Sequence, residues 1–346
     1  MDFSNYLIYW YLKNKRDLPW RKTKNPYKIW LSEVILQQTR IAQGTPYYLK
    51  FLEEFPTIFD LAKADEDTVL KLWQGLGYYT RARNLHQSAK FVVKHYKGEF
   101  PSNYNDIIKL KGIGEYTAAA ISSICFNEPH ATVDGNVYRV LSRYFNINTP
   151  INSTKGIKQF KQLSQSLISI EYPGNHNQAI MELGAMICTP KNVKCDSCPL
   201  NQSCLALKHK NIASLPVKDK KIKIKKRFFN FLVFDLSGNF TILEQRTEKD
   251  IWQNLYQFPL YESAHEIDFN EIIKTNIFKK ITKKSNYNIQ VFNKKPFIHK
   301  LTHQHIHTKF WLIKTQSHYK NVVKWENVST FAVPTLIHNF INKFIK

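Results

Sequence analysis

The sequence predicts a multi-domain protein, an all-α domain followed by a smaller α+β domain. Through roughly the first two hundred positions apolar residues recur at helical spacing. A basic stretch then interrupts the pattern, and beyond it the chain turns to short β-prone runs. A length of 346 residues fits about two domains.

Pro26–Gln43 carries an apolar stripe through Ile29, Trp30, Val34, Ile35 and Ile41, and reads as one helix. Asp65–Trp73, Arg81–His95 and Thr117–Phe126 read the same way. Asp134 precedes an apolar run to Leu141, which makes it a candidate N-cap. The helical domain is expected over residues 1–212, including a cysteine-rich loop at 188–204. A basic linker is expected over 213–226: between Lys218 and Arg227 seven basic residues stand against one acid. The second domain, 227–346, offers strands at Phe228–Asp235, Phe240–Gln245, Lys295–Leu301 and Lys309–Thr315. Ser237-Gly238-Asn239 forms a turn, and a helix closes the chain from Pro334 to Phe344.

Composition narrows the function. Fifty Lys and Arg against 27 Asp and Glu leave a net charge of +23. Such a surplus suits a polyanion, because neutralised phosphates release counterions. A generally lysine-rich composition is the competing explanation. Hydrophobic content of 43% is enough for packed cores. No apolar run approaches the ~20 residues of a membrane span. The aromatic stretch Tyr6–Leu12 follows Asp2 rather than basic residues, so a signal peptide and a membrane partner are not expected.

Cys188, Cys195, Cys198 and Cys204 are spaced C-x6-C-x2-C-x5-C, and one other cysteine, Cys125, lies outside the set. One C-x2-C flanked by longer arms suits an iron–sulfur cubane better than zinc, which usually takes two distant C-x2-C knuckles. Free thiols also indicate a reducing cytoplasm. Leu110-Lys111-Gly112-Ile113-Gly114 falls between two helical patterns. Its glycines allow positive φ and bring backbone N–H groups close to a phosphate. Glu33 sits among Leu31, Val34 and Ile35. It either faces water or is buried, and burial raises a carboxyl pKa.

The glycine hairpin, the Asp twenty residues on and the cysteine spacing together resemble the endonuclease III superfamily of helix-hairpin-helix DNA glycosylases. Within it, residues 1–212 resemble the MutY-type adenine DNA glycosylases. The matching stretches are Leu18-Pro19-Trp20-Arg21, Trp30 to Thr39, Gly75-Leu76-Gly77-Tyr78-Tyr79, Val133 to Val137 and Glu182 to Cys188. The resemblance implies a monofunctional enzyme of base excision repair that hydrolyses the bond to adenine opposite 8-oxoguanine or guanine in double-stranded DNA.

It also implies roles. Glu33 would be the general acid for a base that leaves only when protonated. Asp134 would stabilise the positive sugar or capture it covalently, with Asn136 orienting the carboxylate or the water. Tyr116 stands where bifunctional relatives carry a Schiff-base lysine, and a phenol forms no imine. A packing role is the alternative for Tyr116. Gln38, Thr39, Leu76 and Tyr78 would enter the duplex around the extruded base, although Tyr78 and Tyr79 alone read as core aromatics. Gln178 would lie near the adenine. Arg21, Gly112 and Gly114 complete the expected DNA contacts, and the four cysteines would hold a [4Fe-4S] cluster that shapes a basic loop at Lys191 and Lys194.

The second domain resembles the Nudix-related C-terminal domain of these enzymes, without the R-E-x-x-E-E box after Pro259. Thr302 and His303 would sense 8-oxoguanine from Leu301-Thr302-His303, which lacks the family's aromatic ring there. His299, His303, His305 and His307 alternate as on one strand, solvated or phosphate-facing rather than metal-binding. A monomer in a bacterial cytoplasm, on the nucleoid when bound to DNA, is expected. The rival readings are a strand-nicking glycosylase for oxidised pyrimidines and a non-catalytic DNA-binding iron–sulfur protein.

Overall fold

The computed structural model describes residues 2–219, 224–282, 285–316, 319 and 322–344. Part of the expected linker, residues 220–223, lies outside them. The chain forms two compact units: residues 1–63 with 84–220, and residues 64–83 with 221–346.

The first part of the chain runs through helices α1 (Phe3–Asn14), α2 (Pro26–Leu36), α3 (Ile41–Glu54), α4 (Ile58–Lys63), α5 (Glu66–Leu72) and α6 (Thr80–Tyr96). Next come α7 (Tyr104–Ile107), α8 (Glu115–Phe126), α9 (Gly135–Tyr144), α10 (Thr154–Leu167), α11 (Pro173–Met186) and α12 (Leu205–Lys208). In the first unit α11 is the common support, packed against α1, α8 and α9. Phe3, Leu7 and Tyr11 of α1, Val137, Val140 and Leu141 of α9, and Ile180 and Leu183 of α11 close one core, with Phe160 of α10. Gly184 makes this packing possible, since a Cβ there would lie 2.6 Å from Asn136 Cβ.

The expected helix over Pro26–Gln43 is two helices. It breaks at 37–40, where Gln38 takes φ 56°, a conformation that costs a non-glycine residue energy. Gln37 holds the turn, its Nε2 donating to Thr117 Oγ1 of α8 at 3.2 Å. The glycine hairpin also differs from expectation. Only Gly112 has positive φ, 81°, and a Cβ on it would sit 2.6 Å from Asn84 Cβ. Gly114 has φ −95°, and a Cβ there would meet nothing within 4 Å. Its lack of side chain leaves the start of α8 open for close approach.

The second unit is built on strands β1 (Lys225–Leu236), β2 (Phe240–Ile242), β3 (Glu244–Gln245), β4 (Tyr256–Gln257) and β5 (Leu260–Ser263). Helices α13 (Phe269–Ile272) and α14 (Asn276–Thr282) follow. Strands β6 (Tyr287–Val291), β7 (Phe297–Lys300), β8 (Gln304–Thr315) and β9 (Val322–Lys324) then lead to α15 (Thr335–Phe344). The main sheet runs β6-β8-β1-β2-β9, with β5 on β1 and β7 on β8. Its centre is the parallel pair β1 and β8, in register from Lys225 opposite Gln304 to Leu236 opposite Thr315. Phe229 to Phe234 are buried without alternation, as in a strand covered on both faces. One face packs on Phe278 and Ile281 of α14. On the other, Phe340 of α15 stacks on Phe310 at 4.0 Å.

The four histidines do not share a strand. His299 is on β7, His305 and His307 are on antiparallel β8, and His303 lies in the connecting turn. Residues 64–83 pack into this unit although they lie inside the expected helical domain. Asn254 Nδ2 donates to Glu66 Oε1 at 2.5 Å, Lys71 Nζ to the Phe331 carbonyl at 3.1 Å and Arg83 Nη1 to the Gln253 carbonyl at 2.7 Å. Among the described residues no helix is long and apolar enough to cross a membrane.

Gly112→Ala should destabilise the first unit by about 1–2 kcal/mol, through its positive φ and the Asn84 contact. Chemical denaturation followed by circular dichroism would register this as a lower midpoint. Gly114→Ala should leave the midpoint nearly unchanged.

Candidate functional site

Three side chains from three helices of the first unit converge. Glu33 projects from α2, Tyr116 from the first turn of α8 and Asp134 caps α9. Glu33 is half-buried among Trp30, Val34 and Ile35, enough to push its carboxyl from an ordinary 4.5 to about 7. Loss of solvation is the largest cause. The Tyr116 phenol works against it by hydrogen-bonding to the carboxyl, and the negative charge of Asp134 adds to the rise. The Tyr116 hydroxyl also lies 3.2 Å from Met181 Sδ of α11. Burial and the two carboxylates hold that phenol well above its ordinary range.

Asp134 divides its work between its two oxygens. Oδ1 accepts the backbone N–H groups of Asn136 at 2.9 Å and Val137 at 2.8 Å, the N-cap expected from sequence. Oδ2 accepts from Asn136 Nδ2 at 2.8 Å. Arg139 fixes that amide, since Nη2 donates to Asn136 Oδ1 at 2.8 Å and a guanidinium has only donors. The same guanidinium donates to the carbonyls of Gly184 at 2.6 Å and Cys188 at 2.7 Å. Behind them, buried Asn177 pins the segment leading to Asp134. Its Oδ1 accepts from Thr132 N at 3.0 Å, and its Nδ2 donates to Ser123 Oγ at 2.9 Å and the His130 carbonyl at 2.8 Å.

Glu182 shows what cations do to the same side chain. It is 1% exposed, yet held down at about 2: burial pushes it up, but hydrogen bonds from Arg16 and Arg21 more than offset that. Arg21 grips it with both terminal nitrogens, Nη1 to Oε1 at 2.9 Å and Nη2 to Oε2 at 2.8 Å. Arg21 was expected at the DNA; the structure instead spends its guanidinium on Glu182 and places it over the Tyr11 ring. Tyr11 donates to Gln178 Oε1 at 2.8 Å. Gln178 is one helical turn before Met181, on the α11 face that meets Tyr116. Arg139, Asn177, Tyr11, Met181 and Glu182 had no individual role in the sequence reading. Arg139 and Glu182 were visible there as charged residues inside otherwise apolar helix stripes.

Gln38 is exposed on the left-handed turn after α2, with Thr39 beside it. In the second unit Tyr78 is 47% exposed, with φ 47°, and its hydroxyl lies 2.7 Å from Thr302 Oγ1. Arg81 stiffens this loop by donating to the carbonyls of Leu76 and Gly77. Leu76 is buried, so it presents no protruding side chain, contrary to expectation. His303 is exposed, and its carbonyl accepts from Lys225 N at 3.0 Å.

Cys188, Cys195, Cys198 and Cys204 line a single cavity with Ile187, Val193, Leu207 and Ile212. Cys125 is not among them. The donor set fits a polynuclear iron–sulfur centre. Cys195, Cys198 and Cys204 are each pushed up first by burial and also by the charge of the other sulfurs, so four thiolates here call for a cationic centre. Backbone N–H groups hydrogen-bond Cys198 and Cys204, and Arg143 Nη1 lies 3.4 Å from Cys188 Sγ. Among the described residues no group of three or more His, Cys, Asp or Glu is arranged to hold a single metal ion, the histidines of β7 and β8 included.

Comparisons with known proteins bear on the fold and family of the chain. Residues 31–166 match the HhH-GPD superfamily of base excision DNA repair proteins, and residues 231–343 match the NUDIX domain. The adenine DNA glycosylase of Buchnera aphidicola from Schizaphis graminum is 39% identical over 308 residues, 88% of this chain and 85% of that protein. The human adenine DNA glycosylase is 42% identical over 213 residues, 59% of this chain and 39% of that protein. Among solved structures, a thermostable thymine-DNA glycosylase superposes with a TM-score of 0.55 at 29% identity, covering 60% of this chain and 95% of its own. An endonuclease III–DNA complex, at TM-score 0.52 and 21% identity, covers 60% of this chain and 94% of its own and shares the fold.

The pH dependence of Glu33 has a definite sign. Its proton is held to about pH 7 in the folded chain against 4.5 ordinarily, so the folded state binds more protons between these values. Rising pH therefore erodes stability through that window, and Glu33→Gln should remove this slope from the denaturation midpoints. Tyr116→Phe deletes the opposing hydrogen bond and should move the Glu33 titration above 7, read from the carboxyl carbon shift in NMR. A midpoint that stayed or fell would mean the phenol does not bond that carboxyl.

Proposed function

Because the chain belongs to the adenine DNA glycosylase family, we propose that it is a monofunctional enzyme of base excision repair. It hydrolyses the N-glycosidic bond of adenine opposite 8-oxoguanine or guanine in double-stranded DNA. The observation that carries this reading is the convergence of Glu33, Tyr116 and Asp134 from three helices, with the Glu33 carboxyl raised to about 7. Adenine is a poor leaving group until a ring nitrogen gains a proton, and a carboxyl that keeps its proton near neutrality can donate one.

As the bond breaks, positive charge builds on the sugar. Among the described residues Asp134 Oδ2 has the Asn136 amide as its hydrogen-bond donor, and that amide is fixed in turn by Arg139, so this is the oxygen to face the sugar. Oδ1 stays engaged with the start of α9 and prevents the carboxylate from swinging away. Water then completes the hydrolysis, held by Asn136 or Asp134. Glu33, having given its proton to the base, is left as a carboxylate that can accept the proton that water releases.

Tyr116 tunes Glu33 and supplies no amine. The strand-nicking chemistry of a Schiff-base glycosylase has no nucleophile at this position. Gln178, its carbonyl oxygen taken by Tyr11, has its amide nitrogen left for the base. Gln38 fills the space the adenine leaves, and its strained backbone supports that reading. The Tyr78–Thr302 pair, with His303 beside it, is the element that meets the opposite base. A [4Fe-4S] cluster on the four cysteines would brace the 188–204 loop from within. No other contribution to the reaction is assigned to it.

A substrate panel of adenine opposite 8-oxoguanine, guanine and cytosine, with and without alkali, tests this reading. Adenine release should favour the first two, with strand breaks only after alkali. Breaks without alkali, at the rate of base loss, would favour the bifunctional alternative. Asp134→Asn should keep duplex affinity and lower base release at least a hundredfold, as expected for loss of a transition-state charge partner of about 3 kcal/mol. Base release by the wild type should fall as pH rises through about 7, the range in which Glu33 loses its proton.

A further inference from the structure

The cavity of about 750 Å³ beside Tyr116 has no role in the chemistry above. Tyr116 and Val133 line it, as does α10 through Ile157, Lys158, Lys161 and Gln162. A volume of this size is in the range that holds a ligand of several groups. Neither Glu33 nor Asp134 lines it, so it adjoins the reacting centre and is distinct from it.

Its wall is strongly one-signed. Helix α10, Thr154–Leu167, contains no acidic residue. Lys155, Lys158 and Lys161 recur every third position and are all exposed, which places them along one side of the helix. Lys161 is bonded to Glu115 Oε1 at 2.7 Å, at the first position of α8. That ion pair cancels the one acid lining the cavity, and it sets the lysine row beside the open start of α8 at Gly114. Lys155 and Lys158 have no ion-pair partner among the described residues. Two uncommitted lysines, exposed Gln162 and Ile157, and an uncapped helix start make a surface for a chain of phosphates with apolar sugars between them.

We propose that the Lys155–Lys158 face of α10 and the adjoining cavity carry the DNA strand next to the extruded nucleotide, extending the phosphate contact that begins at the glycine hairpin. The proposal rests on the DNA substrate of the preceding reading. It assigns binding residues that are not part of the acid pair or of the cysteine loop. Contacts of this kind raise affinity for any duplex equally and carry no base preference.

The test is binding of the full-length protein to a fully matched, undamaged duplex, followed by fluorescence anisotropy over a series of salt concentrations. Lys155→Ala with Lys158→Ala should reduce the slope of log affinity against log salt by about 1.8, two phosphates at ~0.9 each, and weaken binding more than tenfold near 0.1 M salt. Lys155→Arg with Lys158→Arg should restore the slope, which a merely structural defect would not. A slope unchanged in the alanine variant overturns the proposal, as would a loss of affinity with the slope preserved. Because the duplex contains no adenine mispair, the result is independent of catalysis. A wild type that binds with the expected slope and releases no adenine would overturn the function and leave this surface standing.

Discussion

Asp134 closes the start of α9 with one oxygen and turns the other to the Asn136 amide, and the arrangement around it depends on this division. A carboxylate that only capped a helix would be common and chemically idle. One held only by a side chain could rotate out of position. Here two backbone N–H bonds fix the residue, while the single amide bond from Asn136 orients the remaining oxygen. The supports reach back in turn. Arg139 locks the amide, Gly184 lets α11 come close enough for Arg139 to reach its carbonyl, and Asn177 ties down the approach to Asp134. The outer links, from Arg139 to the Gly184 carbonyl and from Asn177 to the Thr132 N–H, are buried, where an unmade hydrogen bond costs about 1–3 kcal/mol. Replacing any one of them loosens Asp134 without touching it.

Glu33 and Glu182 make the electrostatic logic visible inside one domain. Both carboxyls lose solvation on folding. Glu182 has two guanidiniums and comes down to about 2; Glu33 has none and rises to about 7. The difference lies in what faces each group, which here is a phenol and a second carboxylate for Glu33. Tyr116 then keeps the rise moderate. With only burial and Asp134 acting, the Glu33 carboxyl would be pushed higher still. Donation is most effective when the acid's pKa lies close to the working pH.

Much of this was legible in the sequence. The helical and α+β halves followed from periodicity, the N-cap at Asp134 from residue type and position, and the shared cavity of the four cysteines from their spacing. The break after α2 was not legible, because no Gly or Pro marks it. Gln38 adopts a left-handed conformation that the surrounding fold imposes, through Gln37 and Thr117 among others. The grouping of residues 64–83 with the second unit was equally hidden. Its bonds run to backbone carbonyls near 253 and 331, which no local pattern encodes. The partner that holds Arg21, Glu182, was hidden as well, since it lies 161 positions away.

The spread of charge completes the account. A net +23 is too diffuse to specify a site, and many of the arginines that define the fold are already committed. Arg16, Arg21, Arg139 and Arg143 are turned onto Glu182 or onto backbone carbonyls. Of the cations placed here, α10 leaves Lys155 and Lys158 uncommitted beside the helix start at Gly114. The division follows from the chemistry of the two side chains. Arginine's rigid fork suits several fixed acceptors in a buried place, whereas lysine's flexible, strongly hydrated charge suits a mobile backbone of phosphates. The interior is therefore organised by guanidiniums and the face of α10 by ammonium groups.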